Sequence, residues 1–478
     1  MHQFRSRPFA LCLALIACFA PPAHVFSAEK STTAAKGATT TKGATNNATT
    51  TTPPKTTTTA PAAPLPPPAP ALALYLTWQR DPARTMTIHW HSDWTAGFRD
   101  TVLEYRAASA PAAAWLRAEG RSQPLPFTSR VVHTVELTGL APDTPYVFRL
   151  GTLRTREKSP ALDFLSDGGE HRFRTLPAAL TRPVRFVAGG DANVGEFKEN
   201  NVTNHYEFAA MNRVAAARDP EFALVGGDIA YVNNEPKAVA KWFDVLRLWG
   251  ETMRGPDGRL IPLVPAIGNH EVHGDAHTIR GGAPERGVRP ERASLFYALF
   301  AFPGTPGYNV LDFGDYLSVV ALDSFHTNPV PGPQTDWLRA TLAARRAVPY
   351  VVPIYHVPAY PSHRAFTGAV SQAIRANWTP LFDTARVRFA FENHDHAYKV
   401  THPLRDGKPD PAGTRYLGDG AWSVTTRVPT ALDQAPYLAR AEARNHVFIV
   451  TLHPDRADFI AIDPKGEEFD KFAIPARP

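Results

Sequence analysis

Five short apolar segments in the second half of the chain each end in a residue that can bind a metal ion. The pairs are PVRFVAGG before Asp191, EFALVGG before Asp228, IPLVPAIG before Asn269 and His270, PYVVPIY before His356, and VRFAFEN before His394 and His396. Apolar runs of this length are typical of buried strands. Since ligands bind at the carboxyl ends of strands in α/β sheets, we expect these side chains to converge at one edge.

Each of these residues also has an ordinary structural explanation when it is taken alone. An aspartate after a strand often caps a helix, and His356 could be a satisfied core histidine. Tyr231, three residues after Asp228, could simply pack in the core. Pairs such as His394 and His396 are frequent in polar loops. The joint pattern on successive strand ends is what indicates a metal centre.

The chain divides into two predicted folded regions. In residues 183–478, helical stretches such as 238–253 alternate with the strands, which predicts an α/β domain. Residues 73–177 instead hold short strands with alternating apolar positions, and Tyr146 follows a Pro-Asp turn. This second pattern resembles a fibronectin type III sandwich with its tyrosine corner, and predicts an all-β domain that serves as a spacer or a platform.

The residues before these two regions carry targeting signals rather than a fold. Residues 1–28 place two arginines before a short apolar run, which predicts a signal peptide. Cleavage could follow Ser27 or Ala28, or the sequence LIAC could act as a lipobox and leave Cys18 lipidated. Residues 29–72 are rich in Thr, Pro and Ala, which predicts a disordered linker. Both routes place the protein outside the cytoplasm, as a secreted, periplasmic or membrane-tethered protein.

Cysteine content and charge exclude some kinds of site. The two cysteines, Cys12 and Cys18, lie in the predicted signal peptide, so the folded regions hold no thiolate ligand and must bind metals through oxygen and nitrogen. Of the formal charge of +6, residues 1–72 contribute about +5 and the remainder only about +1. A folded region this close to neutrality is not expected to bind nucleic acid.

Four sequence blocks together resemble a known superfamily. The blocks GGDIAY, AIGNHEVHG, PIYHVPAY and ENHDHAY are similar to the ordered motifs of the calcineurin-like metallophosphoesterases. The tyrosine in the first block and the fibronectin-like region before it resemble the purple acid phosphatases. The resemblance implies an α/β fold in which a two-sheet sandwich is flanked by helices, in the layer order αββα, after an all-β sandwich.

The resemblance also implies two metal ions, Fe³⁺ together with Zn²⁺, Mn²⁺ or Fe²⁺, with Asp228 bridging them and so taking part in catalysis. The ligands that it implies are Asp191, Tyr231 and His396 for the ferric site, and Asn269, His356 and His394 for the divalent site. His270 would contact the phosphate and protonate the leaving oxygen. His363, seven residues after His356, is expected to face the substrate.

The implied function is hydrolysis of small phosphate monoesters, as in an acid phosphatase, by a hydroxide held at the metal pair. A phosphodiesterase or nucleotidase with two Mn or Zn ions on the same fold is the alternative, and a non-catalytic adhesion module is a third interpretation. Three departures from the family pattern bear on specificity. The segment around Asp191 reads GDANVGEF where the family usually has Asp-x-Gly, and Asn393 replaces a glycine in a turn that would need a positive φ. Lys399 and Val400 follow Tyr398 where the family often has Glu-Arg.

Overall fold

The structure is a computed structural model that describes residues 71–93, 101–153, 162–164, 169–192, 205–273, 279–280, 283–284 and 290–478. The predicted signal peptide, with Cys18, and nearly all of the predicted linker lie outside the described residues. The domain limits 73–177 and 183–478 stay predictions. In the part of the chain that the structure describes, no helix combines the length and apolarity needed to cross a bilayer.

The first part of the described chain is built only of strands. They are β1 Leu74–Thr77, β2 Met86–Asp93, β3 Val102–Ala107, β4 Leu116–Glu119, β5 Arg121–Pro124, β6 Arg130–Leu137, β7 Pro145–Leu153, β8 Leu162–Phe164 and β9 His171–Arg174. One sheet has the order β1-β2-β6-β5, and the other has β4-β3-β7-β8 with β9 also paired to β7. The hydroxyl of Tyr146 accepts a hydrogen bond of 2.9 Å from the amide of Ala141, which is the predicted tyrosine corner.

The second part alternates strands with helices. The longer strands are β10 Val184–Gly189, β11 Phe222–Val225, β12 Leu263–Pro265, β15 Asn309–Phe313, β16 Leu317–Ala321, β17 Tyr350–Ile354, β18 Phe389–Phe391, β19 Tyr398–Thr401, β22 Arg415–Gly418, β23 Leu438–Glu442, β24 Val447–Leu452, β25 Arg456–Ile462 and β26 Glu468–Pro475. Two-residue strands form the hairpins β13 Ile279–Arg280 with β14 Ala283–Pro284, and β20 Leu404–Arg405 with β21 Lys408–Pro409. The helices are α1 His205–Ala216, α2 Ala240–Thr252, α3 Ser294–Leu299, α4 Pro333–Ala344, α5 Ala369–Asn377 and α6 Thr379–Thr384.

These strands form two larger sheets that share one interior. The orders are β12-β11-β10-β24-β25-β26 and β15-β16-β17-β18-β22-β19-β23. Strands β10, β11 and β12 are parallel neighbours in the first sheet, and β16, β17, β18 and β22 are parallel neighbours in the second. The carboxyl ends of the five strands identified in the sequence therefore lie at one edge of each sheet.

Alternation along single strands builds the layers. In β10, Phe186 and Ala188 enter the core between the sheets, whereas Val187 faces the cluster that contains α1 and α2. In β16, Val319 enters the shared core and Val320 faces the cluster that contains α4 and α6. Because side chains alternate between the two faces of a strand, each sheet buries one face against the other sheet and one against helices. The predicted αββα architecture is confirmed.

Aromatic contacts join the all-β sandwich to the α/β layers. Trp78 packs edge-on against Phe222 and Phe313, with ring centroids 6.0 and 5.8 Å apart. The hydroxyl of Tyr75 donates a hydrogen bond of 2.8 Å to the carbonyl of Leu299. Edge-to-face aromatic pairs contribute about 0.5–1.5 kcal/mol beyond area burial. These contacts therefore help to hold the sandwich against the α/β layers.

Three buried histidines of the sandwich make stability depend on pH. Burial lowers the pKa of His89 and of His91 to about 3, and that of His133 to about 4. His91 packs against Tyr75 and Phe243, and neither of its ring nitrogens has a hydrogen-bond partner among the described residues. The unfolded chain takes up protons on these groups below about pH 6.5, whereas the folded chain does not until the pH nears 4. Stability is therefore lost as the pH falls through this window.

We expect His91→Leu to weaken this pH dependence and to raise stability at pH 5. Each buried neutral histidine costs up to about 1.4 kcal/mol of unfolding free energy per pH unit below its unfolded-state pKa. Urea unfolding at pH 7 and pH 5 measures the change, with exposed His402→Gln as the control. Equal pH dependence in His91→Leu and the wild type would show that His91 does not titrate on unfolding.

Candidate metal centre

The predicted ligands come together where the five strands end. Strand β10 leads to Asp191, β11 to Asp228, and β12 to the turn of Asn269–Glu271, while β17 and β18 lead to His356 and to the turn that carries His394 and His396. Six of the seven predicted ligands are buried, and the seventh, Tyr231, is partly exposed. Their functional atoms form two groups of short contacts.

The first group contains Asp191, Tyr231 and His396. The Tyr231 hydroxyl lies 3.1 Å from Oδ1 of Asp191 and 3.0 Å from Nε2 of His396. Nε2 of His396 is also 3.0 Å from Oδ1 of Asp191. A carboxylate, a phenol and an imidazole thus point at one another, which is the donor set implied for a ferric ion.

The second group contains Asp228, Asn269, His356 and His394. Nε2 of His356 lies 3.1 Å from Oδ2 of Asp228, 3.0 Å from Oδ1 of Asn269 and 3.0 Å from Nδ1 of His394. Ligand atoms of Asp228, His356 and His394 all fall within 4.8 Å of one another. Oxygen and nitrogen atoms in this arrangement suit a divalent ion such as Zn²⁺, Mn²⁺ or Fe²⁺.

Backbone carbonyls orient two of the imidazoles. Nδ1 of His356 lies 3.0 Å from the carbonyl of Gly226, and Nδ1 of His396 lies 3.2 Å from the carbonyl of Thr425. A carbonyl only accepts, so each Nδ1 carries a proton and each ring directs its Nε2 toward its group. Histidines that bind metals are usually oriented in this way. The residues therefore fit a pair of cations.

The electrostatics of the second group favour a proton on His356, at the position that a cation would take. Burial opposes protonation of His356, but Asp228 and then Asp191 overcome it and raise the pKa of His356 to about 9. Burial likewise opposes ionisation of Asp228, yet His356 and His270 hold the pKa of its carboxyl well below the usual range. A proton on His356 thus occupies the lone pair that a metal ion would take.

Five of the seven predicted ligands have a left-handed backbone. Their φ values are 57° for Asp191, 52° for Asp228, 53° for Tyr231, 81° for His394 and 57° for His396. Such a conformation costs of order 1–3 kcal/mol in a residue other than glycine, and it persists only where the surroundings impose it. Backbone strain at several neighbouring residues is typical of a functional site.

The expectation for Asn393 was wrong. Asn393 does not adopt a positive φ; the two histidines after it do. Its side chain instead lies over two strand ends and donates a hydrogen bond of 2.9 Å to the carbonyl of Tyr355. A Cβ on Gly190 would lie 2.3 Å from Oδ1 of Asn393, and one on Gly226 would lie 1.8 Å from its Nδ2. Gly190 and Gly226 are therefore required because the Asn393 side chain lies so close to their backbone, and not because a turn needs them.

His270 lies beside the centre in a fixed orientation. Its amide donates a hydrogen bond of 2.8 Å to Oδ1 of Asp228, and its Nδ1 lies 2.6 Å from Oδ1 of Asn233. Its ring stacks on Tyr231, with centroids 4.1 Å apart, and its Nε2 lies 3.8 Å from Oδ2 of Asp228. The ring is partly exposed.

His363 lies at the rim of the centre and is exposed. Its amide donates a hydrogen bond of 2.7 Å to Oδ2 of Asp395, the residue between the two histidines of the last block. Its Nδ1 donates to the carbonyl of Val428 over 2.8 Å. The contact with substrate that we expect for His363 stays a prediction.

Residues outside the predicted set hold the ligands in place. Glu271 accepts hydrogen bonds of 2.8 Å from the amides of Asp228, Ile229 and Gly268, and so joins two strand ends. The pattern GNHE was visible in the sequence, yet nothing in the spacing indicated that Glu271 would turn inward. Arg364 and Arg427 both donate to the carbonyl of His394, over 2.5 and 3.1 Å.

Lys399, which the sequence showed only as a departure from the family, lies in a buried ionic cluster. Its Nζ is 2.6 Å from Oε2 of Glu392, 3.0 Å from Oδ1 of Asp419 and 2.7 Å from the carbonyl of Tyr360. Asp419 in turn accepts the amide of His396 through its own carbonyl over 2.9 Å. The cluster thus fixes the turn that carries the last two ligands.

Comparisons with known proteins identify two domains and several relatives. Residues 72–165 match the purple acid phosphatase N-terminal domain, and residues 184–398 match the calcineurin-like phosphoesterases. A protein of Mycobacterium tuberculosis is 27% identical over 388 residues, which cover 76% of this chain and 66% of that protein. Purple acid phosphatase 15 of Arabidopsis thaliana is 24% identical over 324 residues, which cover 62% of this chain and 54% of that protein. The chain thus spans less than two thirds of the length of these relatives.

Solved structures share the fold. A purple acid phosphatase from yellow lupin seeds aligns with a TM-score of 0.67 and 15% identity, over 85% of this chain and 74% of that one. The structure of PhoD aligns with a TM-score of 0.60 and 12% identity, over 84% of this chain and 87% of that one. The chain belongs to the calcineurin-like phosphoesterases of the purple acid phosphatase type, in which a purple acid phosphatase N-terminal domain precedes the phosphoesterase domain.

Proposed function

We propose that this protein hydrolyses small phosphate monoesters at a centre of Fe³⁺ and one divalent ion. The observation that carries the proposal is the contact of the Tyr231 hydroxyl with both Asp191 and His396, next to the group around Asp228. Phenolate and carboxylate oxygens are hard donors that favour Fe³⁺, whereas imidazole and amide donors suit a divalent ion. The group around Tyr231 therefore suits Fe³⁺, and the group around His356 suits a divalent ion.

When bound, the two ions would supply positive charge and Lewis acidity to the hydrolysis of the ester. Around them, the chain provides orientation and proton transfer. Asn233 and the face of Tyr231 fix the ring of His270, so that its Nε2 points toward the centre. In its protonated form, His270 would bind the phosphate and donate a proton to the leaving oxygen. Arg364 and Arg427 add positive charge beside the His394 turn.

We also propose that the protein works outside the cytoplasm. The support is the leader and the Thr/Pro/Ala-rich stretch in residues 1–72, with Cys18 as a site for a lipid anchor. A small, soluble phosphate ester is the partner that suits such a location. The absence of an excess of positive charge on residues 73–478 argues against a nucleic-acid substrate.

Tyr231→Phe tests the proposed metal pair. We expect the purified wild type to contain iron and a divalent metal, to absorb visible light through a phenolate–Fe³⁺ band, and to prefer p-nitrophenyl phosphate to bis(p-nitrophenyl) phosphate. The variant keeps the ring that stacks on His270 but loses the phenolate, so the band should disappear. A colourless, active wild type that contains two Mn or Zn ions and prefers the diester would instead establish the diesterase alternative.

A further inference from the structure

Two loop segments are hydrogen-bonded to the turn that carries His394 and His396. In the first segment, the amides of His363 and Arg364 donate to Oδ2 of Asp395 over 2.7 and 3.0 Å. In the second, the amide of Arg427 donates to the carbonyl of His396 over 2.9 Å. Both segments are therefore anchored to the turn of residues 394–396, which carries two of the predicted ligands.

The same two segments are also tied to each other. Nδ1 of His363 donates to the carbonyl of Val428 over 2.8 Å, and the amide of Thr430 donates to the carbonyl of Ser362 over 2.7 Å. Further along, the hydroxyl of Tyr437 donates to the carbonyl of Pro361 over 2.7 Å. These bonds hold the segments as one surface next to the candidate metal centre.

This surface exposes large apolar side chains. Phe366, Val428 and Leu432 are 42%, 76% and 48% exposed, and we call these three residues the apolar rim. Within the described residues, large hydrophobic side chains are exposed at six positions, and the rim accounts for half of them. Exposed apolar residues that cluster beside polar groups mark binding surfaces, whereas isolated ones need no explanation.

Phe366 has a defined place in the rim. Its ring stacks on Tyr437, with centroids 5.1 Å apart, and the guanidinium of Arg375 lies 3.7 Å from the ring centroid. Arg375 also donates a hydrogen bond of 2.5 Å to the carbonyl of Phe366. The side chain is thus held in place while 42% of the residue stays open to solvent. A surface that is held in this way loses little entropy when a ligand binds.

We propose that the apolar rim binds the organic part of the substrate, and that the preferred esters carry an alkyl or aryl group rather than a polyhydroxylated or charged one. This inference rests on the proposed function, because it places the phosphate at the metal centre. Arg364 and Arg427 belong to the same two segments as the rim, and both donate to the carbonyl of His394, so positive charge lies at the turn that carries two of the predicted ligands. Apolar area removed from water would then add to the affinity for the leaving group.

Matched ligands test the rim independently of the chemistry. Isothermal titration of the full chain with ethylphosphonate and n-octylphosphonate, which cannot be hydrolysed as esters, compares the same head group with different apolar area. We expect n-octylphosphonate to bind at least about tenfold more tightly, since each buried methylene contributes roughly a threefold to fourfold gain. The double variant Val428→Ser, Leu432→Ser should lose most of this difference, whereas Leu116→Ser, at an exposed leucine of the sandwich, should keep it.

Equal affinities for the two phosphonates in the wild type would overturn the inference, and so would a chain-length preference that the double variant retains. The hydrolysis of ethyl phosphate and n-octyl phosphate, measured as released phosphate, separates this result from failure of the proposed function. If neither ester is hydrolysed, the phosphatase proposal fails, while the phosphonate affinities still decide whether the rim binds apolar groups. Val428→Ser alone gives the same comparison should the double variant not fold, because Val428 is 76% exposed.

Discussion

Asp228→Asn should lower the turnover of p-nitrophenyl phosphate by roughly 10³-fold or more and reduce the metal content of the purified protein. The carboxylate lies 3.1 Å from Nε2 of His356 and accepts a hydrogen bond from the amide of His270. Asparagine keeps the size and one acceptor oxygen, but it removes the negative charge that would bridge two cations. Loss of activity should therefore come without loss of fold.

The control for this variant is Asp463→Asn, which changes a buried carboxylate that pairs with Arg444 in another part of the chain. Turnover, elemental analysis and a thermal melt should be measured on both variants. Asp463→Asn is expected to keep its metals and its turnover. If Asp228→Asn retains two metals and turns over within about tenfold of the wild type, Asp228 does not bridge the centre. If the wild type hydrolyses no phosphate ester, the adhesion interpretation gains over catalysis.

The second large effect is expected on stability. Lys399→Met should lower the free energy of unfolding by about 3–5 kcal/mol, because it leaves Glu392 and Asp419 buried without their cation. All three side chains are fully buried. Burial alone would lower the pKa of Lys399, but Asp419 and Glu392 raise it, so the amine is charged at neutral pH.

A triple variant separates the loss of the ion pair from the loss of packing. Lys399→Met combined with Glu392→Gln and Asp419→Asn removes all three charges, and should recover much of the lost stability. Lys471→Met, at an exposed lysine paired with Glu468, should change stability by no more than about 0.5 kcal/mol. Urea unfolding at pH 7.5 measures all four proteins. An unchanged midpoint in Lys399→Met would mean that the ionic cluster contributes nothing.

The α/β class of the second region and the all-β sandwich before it were predictable because their signals are local, whereas the αββα layer order was what the family resemblance implied. A run of consecutive apolar residues such as Phe186, Val187 and Ala188 specifies a strand with two buried faces, and Tyr146 after a turn specifies a corner. The convergence of Asp191 and His394 was also predictable, since the carboxyl ends of parallel strands lie at one edge. The identity of the metals and the role of each ligand stay predictions.

Other features depend on which segments become neighbours in space. Strand β24 lies antiparallel beside β10, far away in the sequence, and nothing in either segment indicates the pairing. Asn393 was expected to shape a turn, but it fills the space that Gly190 and Gly226 leave open. Lys399 was only a departure from a motif until folding placed it between two carboxylates.

The sequence by itself determined which segments are strands, which ends carry metal-binding side chains and which family pattern they follow. These properties depend on the order and spacing of residues along the chain. Only the tertiary structure decided which carboxylates lose their water, which backbones are held at positive φ and which apolar side chains remain exposed beside the centre. Desolvation, strain and exposure depend on what surrounds a residue, and its surroundings come from segments that are distant in the chain.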